Sequence, residues 1–285
     1  MKGGIAVVKH HDGFCLWPTS TTDHSIVNAG NENGKTTNIP RDFAKAARSL
    51  GMKYGFYVSP WDRNSQYYGT EKYVNDVFLR QCAELAQYGK DQFEMWFDGA
   101  NGGDGYYGGR NTTVNVDRST YYDIPNLRDS IHKVCPDIIL WGVGAEARWI
   151  GNEAGWLAKP TGSPTKEAMH QKATECMVQR TAGSGTQVRA MPSSPTRMVL
   201  ARGREASLCR APLPDVSGDG RQKCYPDLEL PPDKTGLLPD IDVRVLKDMG
   251  NMIRTRLGKD LAQKAKVTVS NTRKAGANRN YAAKI

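Results

Sequence analysis

Phe93-Glu-Met-Trp-Phe97, followed at once by Asp98-Gly99, is the stretch that decides the reading of this chain. An apolar run that stops on a carboxylate and a glycine is the pattern of a buried strand delivering an acidic side chain at its carboxyl end. Upstream, Thr70 to Tyr88 places Tyr73, Val77, Leu85 and Tyr88 on one apolar side, with Thr70 as cap and Gly89 as stop, so a long helix is expected there. Before it, Tyr54-Gly-Phe-Tyr-Val-Ser59 reads as a strand closed by Pro60. Pro40 to Leu50 reads as a helix with Pro at an N1-like position and Gly51 as stop, and Gly4-Ile-Ala-Val-Val-Lys-His-His11 as a first strand. Downstream, Thr120 to Val134 is the next helix and Asp137-Ile-Ile-Leu-Trp141 the next strand. Strands alternating with helices imply an α/β fold whose parallel strands are joined by crossover helices. In such folds the carboxyl ends of the strands face the site, whether the sheet is open or closed into a barrel. The residues after the strands are His10-His11-Asp12, Pro60-Trp61-Asp62-Arg63, Asp98-Gly99, and then Arg148 and Glu153. Polar and aromatic groups therefore converge on one rim.

Two carboxylates on strand-end loops, set among aromatics and histidines, suit glycoside hydrolysis. A sugar ring offers apolar C–H faces on which Trp stacks and hydroxyls that His and Asp bond. A retaining glycosidase needs an ionised carboxylate as nucleophile and a protonated one as acid, about 5–5.5 Å apart. Asp98, directly after a buried strand, is held rigidly enough to attack; by position alone it serves equally well as a loop anchor. The Gly-rich run Gly99-Ala-Asn-Gly-Gly-Asp-Gly-Tyr-Tyr-Gly-Gly109 is not a phosphate cradle, because no helix start or Lys-Ser/Thr follows it.

Composition narrows the classes further. The 285 residues are ample for a buried core, and no apolar run approaches the roughly 20 residues that cross a bilayer, so membrane insertion is not expected. The cysteines Cys15, Cys82, Cys135, Cys176, Cys209 and Cys224 lack C-x-x-C spacing and suggest neither a zinc site nor a disulfide framework. The formal net charge of +9 is uneven, since residues 157–230 carry +4 of it. No basic face interleaves with aromatics, so a nucleic-acid partner is not expected.

Four segments resemble the α-L-fucosidases of glycoside hydrolase family 29: Lys9–Trp17 (KHHDGFCLW), Tyr54–Asn64 (YGFYVSPWDRN), Met95–Gly109 (MWFDGANGGDGYYGG) and Arg148–Trp156 (RWIGNEAGW). The resemblance is closest to the branch often specific for 1,3/1,4-linked fucose, covers about Lys2 to Trp156 and resumes at Pro231. It implies a (β/α)8 TIM barrel and an exo-acting, retaining enzyme that removes terminal α-L-fucose by double displacement. Asp98 would be the nucleophile. Glu153 would be the general acid/base, its pKa raised by burial and by the nearby Asp98 charge, with Glu146 as a rival acid. His10 and His11 would bond fucose hydroxyls, Tyr57 and Trp96 would flank the pocket, and Arg148 would hold the sugar or a carboxylate. Trp17 and Trp61 read as pocket wall or core. No metal and no cofactor are implied. The partner would be a fucosylated oligosaccharide or glycoconjugate, and family habit points to a secreted or periplasmic location although Met1 opens no signal peptide.

The chain departs from the family in the middle and at its ends. Residues 157–230 hold one aromatic, Tyr225, against 23 in the rest of the chain, and keep no helical or strand period. The family motifs expected there are absent in frame, yet synonymous codons for Gly155–Gly162, Pro195–Arg202 and Gly220–Leu230 can restore them in order when read from shifted frames. The segment therefore reads as out of frame, poorly ordered and unable to supply the last barrel strands. On this reading 1–156 is the amino-terminal part of a catalytic barrel and 231–258 the last barrel-helix region, with a helix at Asp240 to Arg256. Residues 259–285 then open a truncated discoidin-like β-sandwich with Lys266–Asn271 as its first strand. The barrel is partial, truncated at both ends, and the fragment is expected to be inactive. The alternative is a non-catalytic carbohydrate-binding remnant.

Overall fold

The computed structural model describes residues 3–30, 32–98, 101–142, 146–149, 187–190, 224–226 and 230–257. Seven strands form one sheet: β1 (Gly3–Lys9), β2 (Lys53–Val58), β3 (Gln92–Trp96), β6 (Ile139–Trp141), β7 (Ala147–Trp149), β8 (Gln187–Ala190) and β9 (Cys224–Pro226). They lie in that order and every neighbouring pair is parallel. A separate antiparallel hairpin, β4 (Gly102–Gly105) with β5 (Thr112–Asn115), stands between β3 and β6 in the chain. The parallel α/β layout is the one the alternation predicts.

The first crossover is α1 (Ile39–Ser49), which packs on β1 and β2. Asn38 caps it by accepting from the Arg41 amide at 3.0 Å, and Gly51 follows it at φ +63°. The second, α2, is continuous over residues 71–86: an α turn at Glu71–Tyr73, a π-helical stretch at Val74–Phe78 and an α-helix at Leu79–Ala86. Thr70 stands at its amino-terminal boundary, but its hydroxyl donates to the Tyr67 carbonyl at 2.7 Å and caps nothing. The third, α3 (Ile124–Val134), begins later than its sequence suggests. Asp123 sits in the left-handed region at φ +49°, which breaks the helix, and Tyr122 turns into the core instead. The last helix, α4 (Asp240–Leu257), falls where the apolar stripe after Pro239 places it.

Period-two alternation divides the sheet into two faces. Val8, Phe56, Val58, Met95, Phe97 and Leu140 join the large core shared with the helices. Tyr57, Trp96, Trp141 and Ala147, with Ile5 and Ile139 against them, form a second, aromatic cluster on the other face. β8 and β9 lie inside 157–230, a segment from which no strand was expected; parallel pairing needs only extended backbone, and these strands are four and three residues long. The expected strand at Lys266–Asn271 lies outside the described residues.

Candidate active site at the carboxyl ends of β1 to β3

Asp98 follows β3 by two residues and is half-buried. The Tyr57 hydroxyl, reaching across from β2, donates to its Oδ2 at 3.2 Å. Tyr57 and Trp96 are paired in register on the aromatic face, with ring centroids 5.6 Å apart in a T-shaped arrangement. On the other side of Tyr57, the His10 ring stacks at 5.5 Å with an interplanar angle of 10°. His10 and His11 sit with centroids 4.1 Å apart at the mouth of β1. The structure thus brings five of the seven site residues read from the sequence into one cluster: His10, His11, Tyr57, Trp96 and Asp98. Arg148 lies on β7, paired with β8, and only its backbone is described. Glu153 lies outside the described residues.

The histidines differ. His10 is exposed, whereas His11 is partly enclosed, its Nδ1 2.8 Å from the buried Ser59 Oγ and its ring 5.1 Å from Trp61. Ser59 has a single hydroxyl hydrogen, and two carbonyls compete for it, Trp61 O at 2.8 Å and Asp98 O at 3.3 Å. His11 must then donate from Nδ1, which leaves Nε2 as an acceptor; this tautomer is assigned from the hydrogen-bond network. Burial, together with the neighbouring His10, pushes the His11 pKa down to about 4, against the opposing pull of Asp98. At neutral pH the ring therefore offers a lone pair to a hydroxyl.

Sequence reasoning missed three parts of this site. Ser59 was read only as the end of a strand, yet it ties His11 to the Asp98 backbone. Trp141, at the end of β6 and in register with Trp96, lies 4.6 Å from it between ring centroids; its place at the end of a strand was the available signal. Lys9 and Asp62 form a fully enclosed ion pair just beneath the histidines, a contact that no local pattern reveals. Two tryptophans are settled. Trp17 is core, its indole donating to Glu84 at 2.8 Å, while Trp61 forms wall between His11 and the β4–β5 hairpin. Glu146 is committed elsewhere: it pairs with His132 on α3 at 2.7 Å and accepts the Leu140 amide at 2.9 Å. Among the described residues no cluster of His, Cys, Asp and Glu could hold a metal, and no helix is long and apolar enough to cross a membrane.

A parallel α/β sheet whose strand ends present a carboxylate among histidines and stacked aromatics is the layout of a glycoside hydrolase catalytic domain. The α-L-fucosidase family matches residues 1–171, and the chain belongs to that family, glycoside hydrolase family 29. It is 30% identical over 278 residues to α-L-fucosidase 1 of Arabidopsis thaliana, covering 94% of this chain and 52% of the relative. A glycoside hydrolase 29 family member from an unknown rumen bacterium superposes with a TM-score of 0.81 at 31% identity, over 95% of this chain and 50% of that one. A family 29 fucosidase of Ruminococcus gnavus, solved in complex with fucose, superposes at 0.69 with 24% identity, over 93% and 57%. The chain spans about half the length of these relatives.

Proposed function

We propose that this chain carries the fucose-recognising, nucleophile-bearing part of an exo-acting, retaining α-L-fucosidase on a (β/α)8 barrel. The observation that carries the reading is the Tyr57 hydroxyl donating to Asp98 at the end of β3, beside the stacked His10 ring. That donor fixes the carboxylate at the strand end beside the His10 ring. In the first step Asp98 forms a bond to the anomeric carbon as the glycosidic C–O bond breaks, and Glu153 gives its proton to the leaving oxygen. In the second, Glu153 takes a proton from water, the water oxygen bonds to the same carbon and Asp98 departs. His10 and His11 bond sugar hydroxyls, Trp96 supplies an apolar wall and Arg148 anchors the sugar. The natural substrate is a fucosylated glycan with 1,3- or 1,4-linked terminal fucose, met in a secreted or periplasmic location. The resident cofactor in this reading is none.

Residues 157–230 are proposed to be out of frame, so that the chain as written binds fucose and does not turn it over. L-Fucose binding by calorimetry and hydrolysis of a chromogenic α-L-fucoside test both proposals. Binding is expected in the chain as written. Turnover is expected when the frame-restored segment is carried in a chain of the relatives' full length, and loss of that turnover in Asp98→Ala. Hydrolysis that survives Asp98→Ala would overturn the nucleophile assignment. Binding without turnover in the restored chain would favour the carbohydrate-binding remnant. A source DNA with a clean, differently coded insertion at codons 157–230 would remove the out-of-frame reading.

A further inference from the structure

Beneath the histidine pair lies a polar network that the proposed chemistry does not use. Lys9, the residue just before His10, is fully enclosed, and its Nζ stands 3.0 Å from Asp62 Oδ2. The same ammonium donates to Gln81 Oε1 at 2.9 Å and to the Tyr73 hydroxyl at 3.2 Å. Asp62 turns its other oxygen to the loop after β2, accepting the amides of Asn64 at 3.0 Å and Ser65 at 2.8 Å. Tyr73 in turn donates to the Pro60 carbonyl at 2.7 Å. Three elements therefore meet on one cation: the end of β1, the loop after β2 and helix α2.

The geometry of α2 serves this meeting. Tyr73 and Gln81 are eight residues apart, which in an uninterrupted α-helix would leave them ~80° apart around the axis. The π-helical stretch Val74–Phe78 between them widens the turn and brings both to the Lys9 side. Gly13 closes the other side: at φ +80°, a side chain there would place its Cβ 2.2 Å from Asp62 Oδ1. Backbone bonds finish the clamp, with the Arg63 amide on the His11 carbonyl at 2.8 Å and the Ser59 amide on the Lys9 carbonyl at 2.9 Å.

We infer that Lys9 and Asp62 are a positioning pair, locking the β1 and β2 loops together so that His10, His11 and Trp61 face Asp98 in one fixed arrangement. A buried ion pair is weak evidence for stability, because desolvation offsets most of the attraction, and its better-attested use is to fix register. Here the register fixed is that of two loops that carry site residues. The inference rests on the carbohydrate-site reading for its purpose but not for its test.

The test follows the His11 ring by NMR in the full chain. The charges acting most strongly on His11 are His10, Asp98, Arg63 and Asp12, not Asp62, so its titration reports the position of the loop. In Asp62→Asn the His11 midpoint is expected to move from about 4 toward its ordinary value of 6.5 as the ring gains solvent. Tyr73→Phe, which removes one oxygen and leaves the ion pair, is expected to shift it part of the way. L-Fucose affinity should fall in both variants, further in Asp62→Asn than in Tyr73→Phe, while far-UV circular dichroism is retained. Should Asp62→Asn fail to fold, Tyr73→Phe decides. Folded variants whose His11 titrates as in the parent chain would overturn the inference, whatever their stability. A His11 shift in a chain that binds no fucose would uphold the pair and overturn the sugar reading alone.

Discussion

His11 shows how much one ring can record of its surroundings. Its pKa is depressed to about 4, so between pH 4 and 6.5 the unfolded chain takes up a proton at this residue that the folded chain refuses. Stability contributed by keeping the ring neutral is present above about 6.5 and lost as the pH falls toward 4. Urea midpoints should accordingly fall across that window, and His11→Gln should flatten the fall. Tyr57 makes a second prediction at this scale. A hydrogen bond to a carboxylate is worth roughly 1.5–3 kcal/mol, so Tyr57→Phe should lower kcat/KM of the frame-restored chain about tenfold or more through Asp98. His11 was legible because it follows an apolar run, whereas Tyr57, inside its strand, was reached only through the family resemblance. Ser59 was not legible: nothing local distinguishes a serine that bridges two loops from one that merely ends a strand.

Secondary elements were legible wherever periodicity and stop residues agreed, as in α1 with Pro40 and Gly51, or β3 with its abrupt end at Asp98. The β4–β5 hairpin escaped because its glycines carry no alternation. Its close approach is legible only in three dimensions, where a side chain at Gly103 would press on the Trp61 ring at 3.0 Å. Strand β7 escaped because it pairs with β6 through a single register position and is three residues long. Glu146, just before β7, makes a sharp test of elements against chemistry. It fastens α3 to the backbone of β6, so Glu146→Ala should cost about 1–3 kcal/mol in urea unfolding by orphaning the Leu140 amide. Fucose affinity should stay unchanged; a selective loss of turnover in the frame-restored chain, with stability intact, would return Glu146 to the role of acid.

At the scale of the molecule, the alternation of strands and helices was enough to place His10, His11 and Asp98 on one rim, because a parallel sheet sends all its carboxyl ends the same way, whereas Tyr57 and Trp96 were reached only through the family resemblance. The Lys9–Asp62 pair was out of reach, since it depends on how a π-helical stretch rotates α2 against the sheet. Among the described strands β1 has one neighbour, β2, and Val7 on β1 is 49% exposed. Open strand edges recruit other strands. Val7→Lys should therefore reduce concentration-dependent light scattering of the purified chain without changing its unfolding free energy by more than about 0.5 kcal/mol.

Trp96 and Trp141 meet at 4.6 Å and 60°, one strand apart, with Trp96 two residues before Asp98. Indoles so close and so inclined absorb as a coupled pair, and the sign and size of their near-ultraviolet dichroism depend on their mutual angle. The protein consequently holds an optical gauge of its own beside the carboxylate, sensitive to any change in the angle between the two indoles without dye, label or cleavage of any bond.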